Sequence, residues 1–282
     1  MPDIKTIAVI GAGLMGNGIA QVALTAGYDV TLIDVFPAAL QKGLAAIEGR
    51  FQKSVEKGKL TAEAKAELMS RLQGAGALAD ANGKDVVIEA VPELIDLKIK
   101  VFEELGQVTG PETVLVSNTS GLSLTRLGAA AKRADKVIGM HFFYPAPVMK
   151  LVEVIRGLGT SDETYQTVWA LAQSFGKTPV NAPDHPGFVV NRLLVPMMNE
   201  AIFLVQEGAK PEDVDTAMKL GCNHPMGPLE LADFTGLDVT YNTMQGLFEQ
   251  LKEEKYRPCP LLKKMVEGGY LGRKSGRGFY QY

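Results

Sequence analysis

The chain has 282 residues, 46% apolar and 22% charged, enough for one large and one smaller domain, each with its own core. A formal net charge of -3 without any long basic run argues against nucleic acid as a partner. The two cysteines, Cys222 and Cys259, match no metal-ligand spacing, so no metal is expected; they fit packing or surface thiols in a reduced, cytoplasmic setting.

From Thr6 to Tyr28 no side chain is charged, which could be taken for a secretory signal. Asp3 offsets Lys5, however, and Gly11, Gly13 and Gly16 interrupt the apolar run, so the mature chain is expected to be complete, soluble and free of the membrane. Ile4–Ile10 reads as a buried strand, Leu14–Ala26 as a helix stopped at Gly27, and Val30–Ile33 as a second strand ending at Asp34. Phe51–Met69, rich in Lys, Glu and Ala, reads as a helical pair projecting near residues 50–73. Val86–Glu89, Val114–Ser117 and Val137–Phe142 are further strands with helix-like sequence between them, one such helix being Leu94–Val108 behind Pro92. Leu151–Ile155 and Thr178–Asn181 look like strands flanking a helix near Asp162–Phe175.

Strands alternating with helices predict an α/β, Rossmann-like parallel-sheet domain over residues 1–185. From 184–187 onward only helices are expected, at about 188–207, 211–220, 228–253 and 259–267. Residues 186–282 therefore read as an all-α C-terminal domain.

Gly11-Ala12-Gly13-Leu14-Met15-Gly16 follows the first strand and opens the first helix. In that position the first Gly makes a tight turn, the second lets backbone approach a pyrophosphate, and the third permits close helix–strand packing. The spacing alone is weak, because a glycine-rich turn need hold no ligand. Asp34, 18 residues after Gly16 at the end of the second strand, strengthens it: a carboxylate there can accept from adenosine ribose hydroxyls and would repel a 2'-phosphate. NAD is therefore the expected cofactor rather than NADP.

His141 ends the Val137–Phe142 strand, at the carboxyl edge where a parallel sheet presents its ligand crevice. It reads either as the base that takes a hydroxyl proton or as a satisfied structural histidine. Glu153, a lone carboxylate in Leu151–Ile155, is costly to bury unless paired. It pairs with His141 or faces water from an edge strand; the sequence leaves both open. Ser120, in Ser117–Ser120, and Asn191, just past the domain boundary, read as substrate contacts or as ordinary helix caps.

These segments are familiar together. Ser-Asn-Thr-Ser at 117–120, Gly-Met-His-Phe-Phe at 139–143, Pro-Val-Met-Lys-Leu-Val-Glu-Val at 147–154 and Pro-Gly-Phe-Val-Val-Asn-Arg at 186–192 resemble the L-3-hydroxyacyl-CoA dehydrogenase family. So do Asn-His-Pro-Met-Gly-Pro at 223–228 and Gly-Arg-Lys-Ser-Gly-Arg-Gly-Phe-Tyr at 272–280, and the match is collinear from residue 4 to the C-terminus. The resemblance implies NAD-dependent oxidation of an (S)-3-hydroxyacyl-CoA, as in the bacterial single-function members acting on 3-hydroxybutyryl-CoA, and the reverse reduction. It implies His141 as acid/base, Glu153 as its charge partner, and Ser120 and Asn191 as holders of the substrate oxygens. Glu93, Lys98 and Lys274 match positions that contact NAD, and a homodimer formed mainly through the helical domain is implied.

Tyr144 departs from the pattern, standing where the family usually has a cofactor-contacting Asn, and Gly121 replaces a common Ser. On the helical projection Arg50, Lys53, Lys57 and Lys59 offer positive charge to the phosphates of coenzyme A, or form a solvated face. A sugar-acid dehydrogenase of the L-gulonate type and a non-catalytic, crystallin-like NAD binder remain as rivals.

Overall fold

The computed structural model describes residues 4–282, which form two units meeting at His185 and Pro186. The first holds β1 (Thr6–Ile10), α1 (Leu14–Thr25), β2 (Asp29–Ile33), α2 (Pro37–Glu56), α3 (Ala62–Ser70) and β3 (Leu72–Ala75). It continues with β4 (Val86–Glu89), α4 (Ile95–Val108), β5 (Val114–Ser117), α5 (Leu124–Ala130), β6 (Val137–Phe142), β7 (Leu151–Arg156), α6 (Asp162–Ser174) and β8 (Thr178–Pro183). The strands make one sheet in the order β3-β2-β1-β4-β5-β6-β7-β8. Direction of travel reverses between β1 and β4, the switch point where such sheets open a crevice beyond their carboxyl ends.

All pairings are parallel except that of β6 with β7. The expected parallel sheet is present with one antiparallel step: residues 143–150 are too few to carry a crossover helix, so the chain turns back from β6 into β7. That turn sets His141 directly opposite Glu153 in register. The sheet's short edge strand β3 lies in a stretch with no clear apolar period and was not expected, whereas α5 occupies the helix-like stretch between β5 and β6.

Alternation along the strands divides the core. Ile7, Val9, Val30, Leu32, Ile138 and Met140 join α1, α2 and α6 side chains in one apolar cluster. Gly139 faces the other way, and its missing Cβ lets Ile155 and Leu124 of α5 come close. His141 and Glu153 fall on this second face by the same alternation.

The second unit is built from α7 (Val190–Gln206), α8 (Pro211–Gly221), α9 (Pro228–Thr235), α10 (Leu237–Leu251) and α11 (Pro260–Glu267). One long helix over 228–253 was expected, but Gly236 at φ +104° divides it, and a Cβ there would press on Asp238 and Lys274. Met198, Ile202, Leu229, Met244, Leu247 and Leu262 form its core. Asp215 accepts from the N–H groups of Leu229 and Glu230, filling the open donors at the start of α9. The chain's end departs from pure helix: Gly272, Arg277 and Gln281 pair through isolated bridges, and Asp233 accepts from the N–H groups of Phe279 and Tyr280. Cys222 is exposed and Cys259 buried, burial pushing the Cys259 thiol pKa up. No helix among the described residues is long and apolar enough to cross a membrane.

Candidate active site

The glycine loop fills the switch point. Gly11 sits at φ +95°, and a Cβ there would lie 2.7 Å from the Ala90 carbonyl oxygen. At Gly16 a Cβ would fall 1.7 Å from the Gly11 carbonyl oxygen, so only glycine lets α1 start this close to β1. Gly13 differs: a Cβ would meet nothing within 4 Å, because the residue borders open space. No side chain caps α1 at Gly13, which leaves its first turn of N–H groups and positive dipole end for an anion.

That space is a cavity of about 760 Å³. Gly11, Gly13, Leu14 and Met15 line it from the loop, Asp34 from the end of β2, and Glu93 and Ser120 from the far side. Asp34 Oδ2 accepts from the Ala12 N–H at 2.8 Å and Oδ1 from the Phe36 N–H at 2.9 Å, which fixes the carboxylate against the loop. The glycine cradle, the open N-terminus of α1 and the carboxylate at β2 fit a dinucleotide without a 2'-phosphate.

A second set of contacts joins the ends of β4 and β5 to α4. Glu89 Oε1 accepts from Lys98 Nζ at 2.6 Å and from the Val91 N–H at 2.7 Å, while Oε2 accepts from Ser117 Oγ at 2.6 Å. Lys98 also lies 3.3 Å from Glu93 Oε2. Glu93 Oε1 in turn accepts from Thr119 Oγ1 and from the Ser120 N–H. Lys98 is thus fully buried behind Glu93 and does not itself line the cavity. Glu89 went unnoticed in the sequence, although it ends an apolar strand as a lone carboxylate just as Glu153 interrupts one.

Asn118 Oδ1 accepts from the Phe142 N–H at 2.9 Å, tying the end of β5 to the end of β6. There His141 Nδ1 lies 2.7 Å from Glu153 Oε2, with Glu153 fully buried and His141 4% exposed. The Phe143 ring packs 4.5 Å from the imidazole, centroid to centroid. The buried carboxylate at Nδ1 makes that nitrogen the donor and fixes the ring.

Other candidates fall elsewhere. Lys53, in the last turn of α2, and Lys57, which caps its C-terminus, are exposed. Arg50 is turned away from that face: it donates to Asn17 Oδ1 at 2.7 Å and to Gln21 on α1, and burial holds its pKa below the ordinary value. Tyr144 is 57% exposed, outside the cavity lining, and its phenol neighbours Arg50. In the second unit Asn191 lies in the first turn of α7, and Lys274 is paired with Asp238.

Comparison with known proteins follows this division. Residues 6–185 match the model of the 3-hydroxyacyl-CoA dehydrogenase NAD-binding domain, and residues 187–282 match that of the family's C-terminal domain. The chain belongs to the 3-hydroxyacyl-CoA dehydrogenase family. As a member it is an NAD-dependent enzyme, and the cavity beneath the glycine loop lies in the family's NAD-binding domain. A relative described as 3-hydroxybutyryl-CoA dehydrogenase from Bradyrhizobium diazoefficiens is 50% identical over 280 residues, covering 99% of this chain and 96% of its own. Another so described, from Clostridioides difficile, is 47% identical over 277 residues and covers 98% of this chain and 99% of its own. The crystal structure of (S)-3-hydroxybutyryl-CoA dehydrogenase from Ralstonia eutropha superposes with a TM-score of 0.95 at 48% identity, covering 99% of both chains.

Proposed function

We propose that this dehydrogenase oxidises (S)-3-hydroxyacyl-CoA, 3-hydroxybutyryl-CoA foremost, to the 3-ketoacyl-CoA and catalyses the reverse reduction. The observation that carries the reading is the His141–Glu153 pair, an imidazole held by a buried carboxylate at the carboxyl edge of the sheet. NAD, which the Gly11–Gly16 loop and Asp34 would hold, would supply the acceptor for the hydride leaving C3 of the substrate. His141 takes the C3 hydroxyl proton at Nε2 and returns it in the reductive direction. Glu153 accepts the Nδ1–H, keeps the productive tautomer and stabilises the imidazolium as it forms. Phe143 covers the ring and limits water beside it.

Ser120 and Asn191 hold the reacting oxygens, so that C3 and its hydroxyl meet cofactor and base in one geometry. Gly11, Gly13, Leu14, Met15 and Gly16 form the pyrophosphate cradle, and Asp34 receives the adenosine ribose. Glu93, Lys98, Ser120, Tyr144 and Lys274 serve the nicotinamide half. Two copies pair through their helical units, and the enzyme works in the cytoplasm.

The CoA arm is assigned to the exposed ammonium groups of Lys53 and Lys57, whose flexible stems suit a phosphate on a mobile ligand. Acetoacetyl-CoA is expected to be reduced with a far higher kcat/KM than free acetoacetate. Replacing both lysines with Ala should raise the KM for acetoacetyl-CoA about fivefold to thirtyfold, the loss of two exposed charge contacts at roughly 0.5–1 kcal/mol each, with kcat little changed. A preference for the free acid, or an unchanged KM in the double variant, would place the thioester arm elsewhere or remove it from the reaction.

A further inference from the structure

Glu89 has no part in the chemistry above, yet it is the most enclosed carboxylate at the cavity's far end. It is fully buried at the end of β4, and every group around it donates: Lys98 Nζ, the Val91 N–H and Ser117 Oγ. Glu93 likewise accepts from Thr119 and Ser120 and faces the same ammonium at 3.3 Å. Lys98 Nζ lies 2.6 Å from Glu89 and 3.3 Å from Glu93, so one ammonium answers two acidic groups. A buried ion pair needs one counter-charge, so this array carries a surplus negative charge. The surplus faces the cavity, because Glu89 and Lys98 are enclosed while Glu93 keeps 41% of its side chain exposed. Lys100 and Glu104, the other charged side chains that α4 brings to the cavity, offset each other.

Position gives the surplus a target. Asp34 and the glycine loop mark the adenosine and pyrophosphate end, so the end bounded by Glu93 and Ser120 receives the nicotinamide, on the reading proposed above. The two redox forms of the dinucleotide differ in charge only at that ring, which is cationic when oxidised and neutral when reduced. We infer that the Glu89–Lys98–Glu93 array discriminates between the redox states of the bound nicotinamide, holding the oxidised form more tightly, with Glu89 as the residue that sets the charge. The array thereby biases the bound equilibrium towards NAD⁺ and the alcohol, that is, towards reduction of the ketone. It also links substrate handling to cofactor state, since Glu93 holds the Ser120 N–H.

The test is the ratio of dissociation constants for NAD⁺ and NADH, measured by calorimetry or NADH fluorescence without acyl-CoA. Glu89→Gln keeps the shape and removes the charge. It is expected to weaken NAD⁺ relative to NADH on the order of tenfold, the effect of one charge at about 10 Å and an effective dielectric of about 20. Glu89→Asp, which moves the group but keeps its charge, should weaken both forms together and leave the ratio within about twofold of wild type. If Glu89→Gln does not fold, Glu93→Gln removes the same charge from a half-exposed position and must shift the ratio in the same direction. An unchanged ratio in the foldable charge-removing variant, or an equal shift in Glu89→Asp, overturns the inference. Failure of the wild-type chain to bind either nucleotide would instead overturn the functional reading on which it rests.

Discussion

Replacing His141 with Asn is expected to lower kcat by about 10²–10⁴-fold, the contribution of a positioned general acid–base. Asn can still meet Glu153 by donating from its amide, so the β6–β7 pairing and the fold should survive. It cannot take a proton from an alcohol. Because His141 stands outside the lining of the dinucleotide cavity, the dissociation constant for NADH should stay within about twofold of wild type. The KM for acetoacetyl-CoA should change far less than kcat, since the lost interaction belongs to the transition state. Steady-state rates with a fluorescence titration of NADH check this in one preparation. Near-normal turnover with intact NADH binding would remove His141 from the reaction.

The second large effect is expected at Gly16. Substituting Ala puts a Cβ 1.7 Å from the Gly11 carbonyl oxygen, and both partners are backbone, so relief requires α1 to move away from β1. Overpacking of this kind costs about 1–3 kcal/mol in stability. It also displaces the N–H groups at the start of α1 from the pyrophosphate. NADH affinity should fall by at least about tenfold, the cost of losing one or two such hydrogen bonds to a charged group. Gly13→Ala supplies the contrast, since its Cβ meets no protein atom and projects where the cavity is lined. That variant should unfold at the wild-type temperature yet bind NADH poorly. If Gly16→Ala bound NADH normally and melted with the wild type, the close helix–strand approach would not be what the glycine loop is for.

Much of this arrangement was legible because strong local signals agreed. The apolar runs at Val86–Glu89, Val114–Ser117 and Val137–Phe142 end as the strands do, each bounded by polar residues or turn formers. The meeting of His141 with Glu153 was an even choice from composition, because a lone carboxylate in a strand fits a wet edge as well as a buried pair. Its buried placement follows from the antiparallel return of β7, between β6 and β8, which a reading of separate strands does not supply. The edge strand β3, Leu72–Ala75, is short and half-covered, so its sequence has no apolar alternation to find. Gly236 lies inside the 228–253 stretch expected as one helix, and its backbone at positive φ makes it a break. The resemblance sets Lys98 at the cofactor; its ammonium is enclosed between Glu89 and Glu93, so its reach to the cavity runs through Glu93. Sequence shows a lysine on a helix and cannot show that two carboxylates from neighbouring strand ends will converge on it.

The account rests on a CoA thioester, a nicotinamide cofactor without a 2'-phosphate, and an acid–base pair acting together. Acetoacetyl-CoA mixed with the purified protein and either NADH or NADPH, followed at 340 nm, tests the substrate and the cofactor choice at once. Rapid loss of NADH absorbance is expected, with NADPH much slower because its 2'-phosphate would meet the Asp34 carboxylate. No oxidation of either cofactor, alongside tight NADH binding and turnover of L-gulonate with NAD, would contradict it and assign the site to a sugar acid.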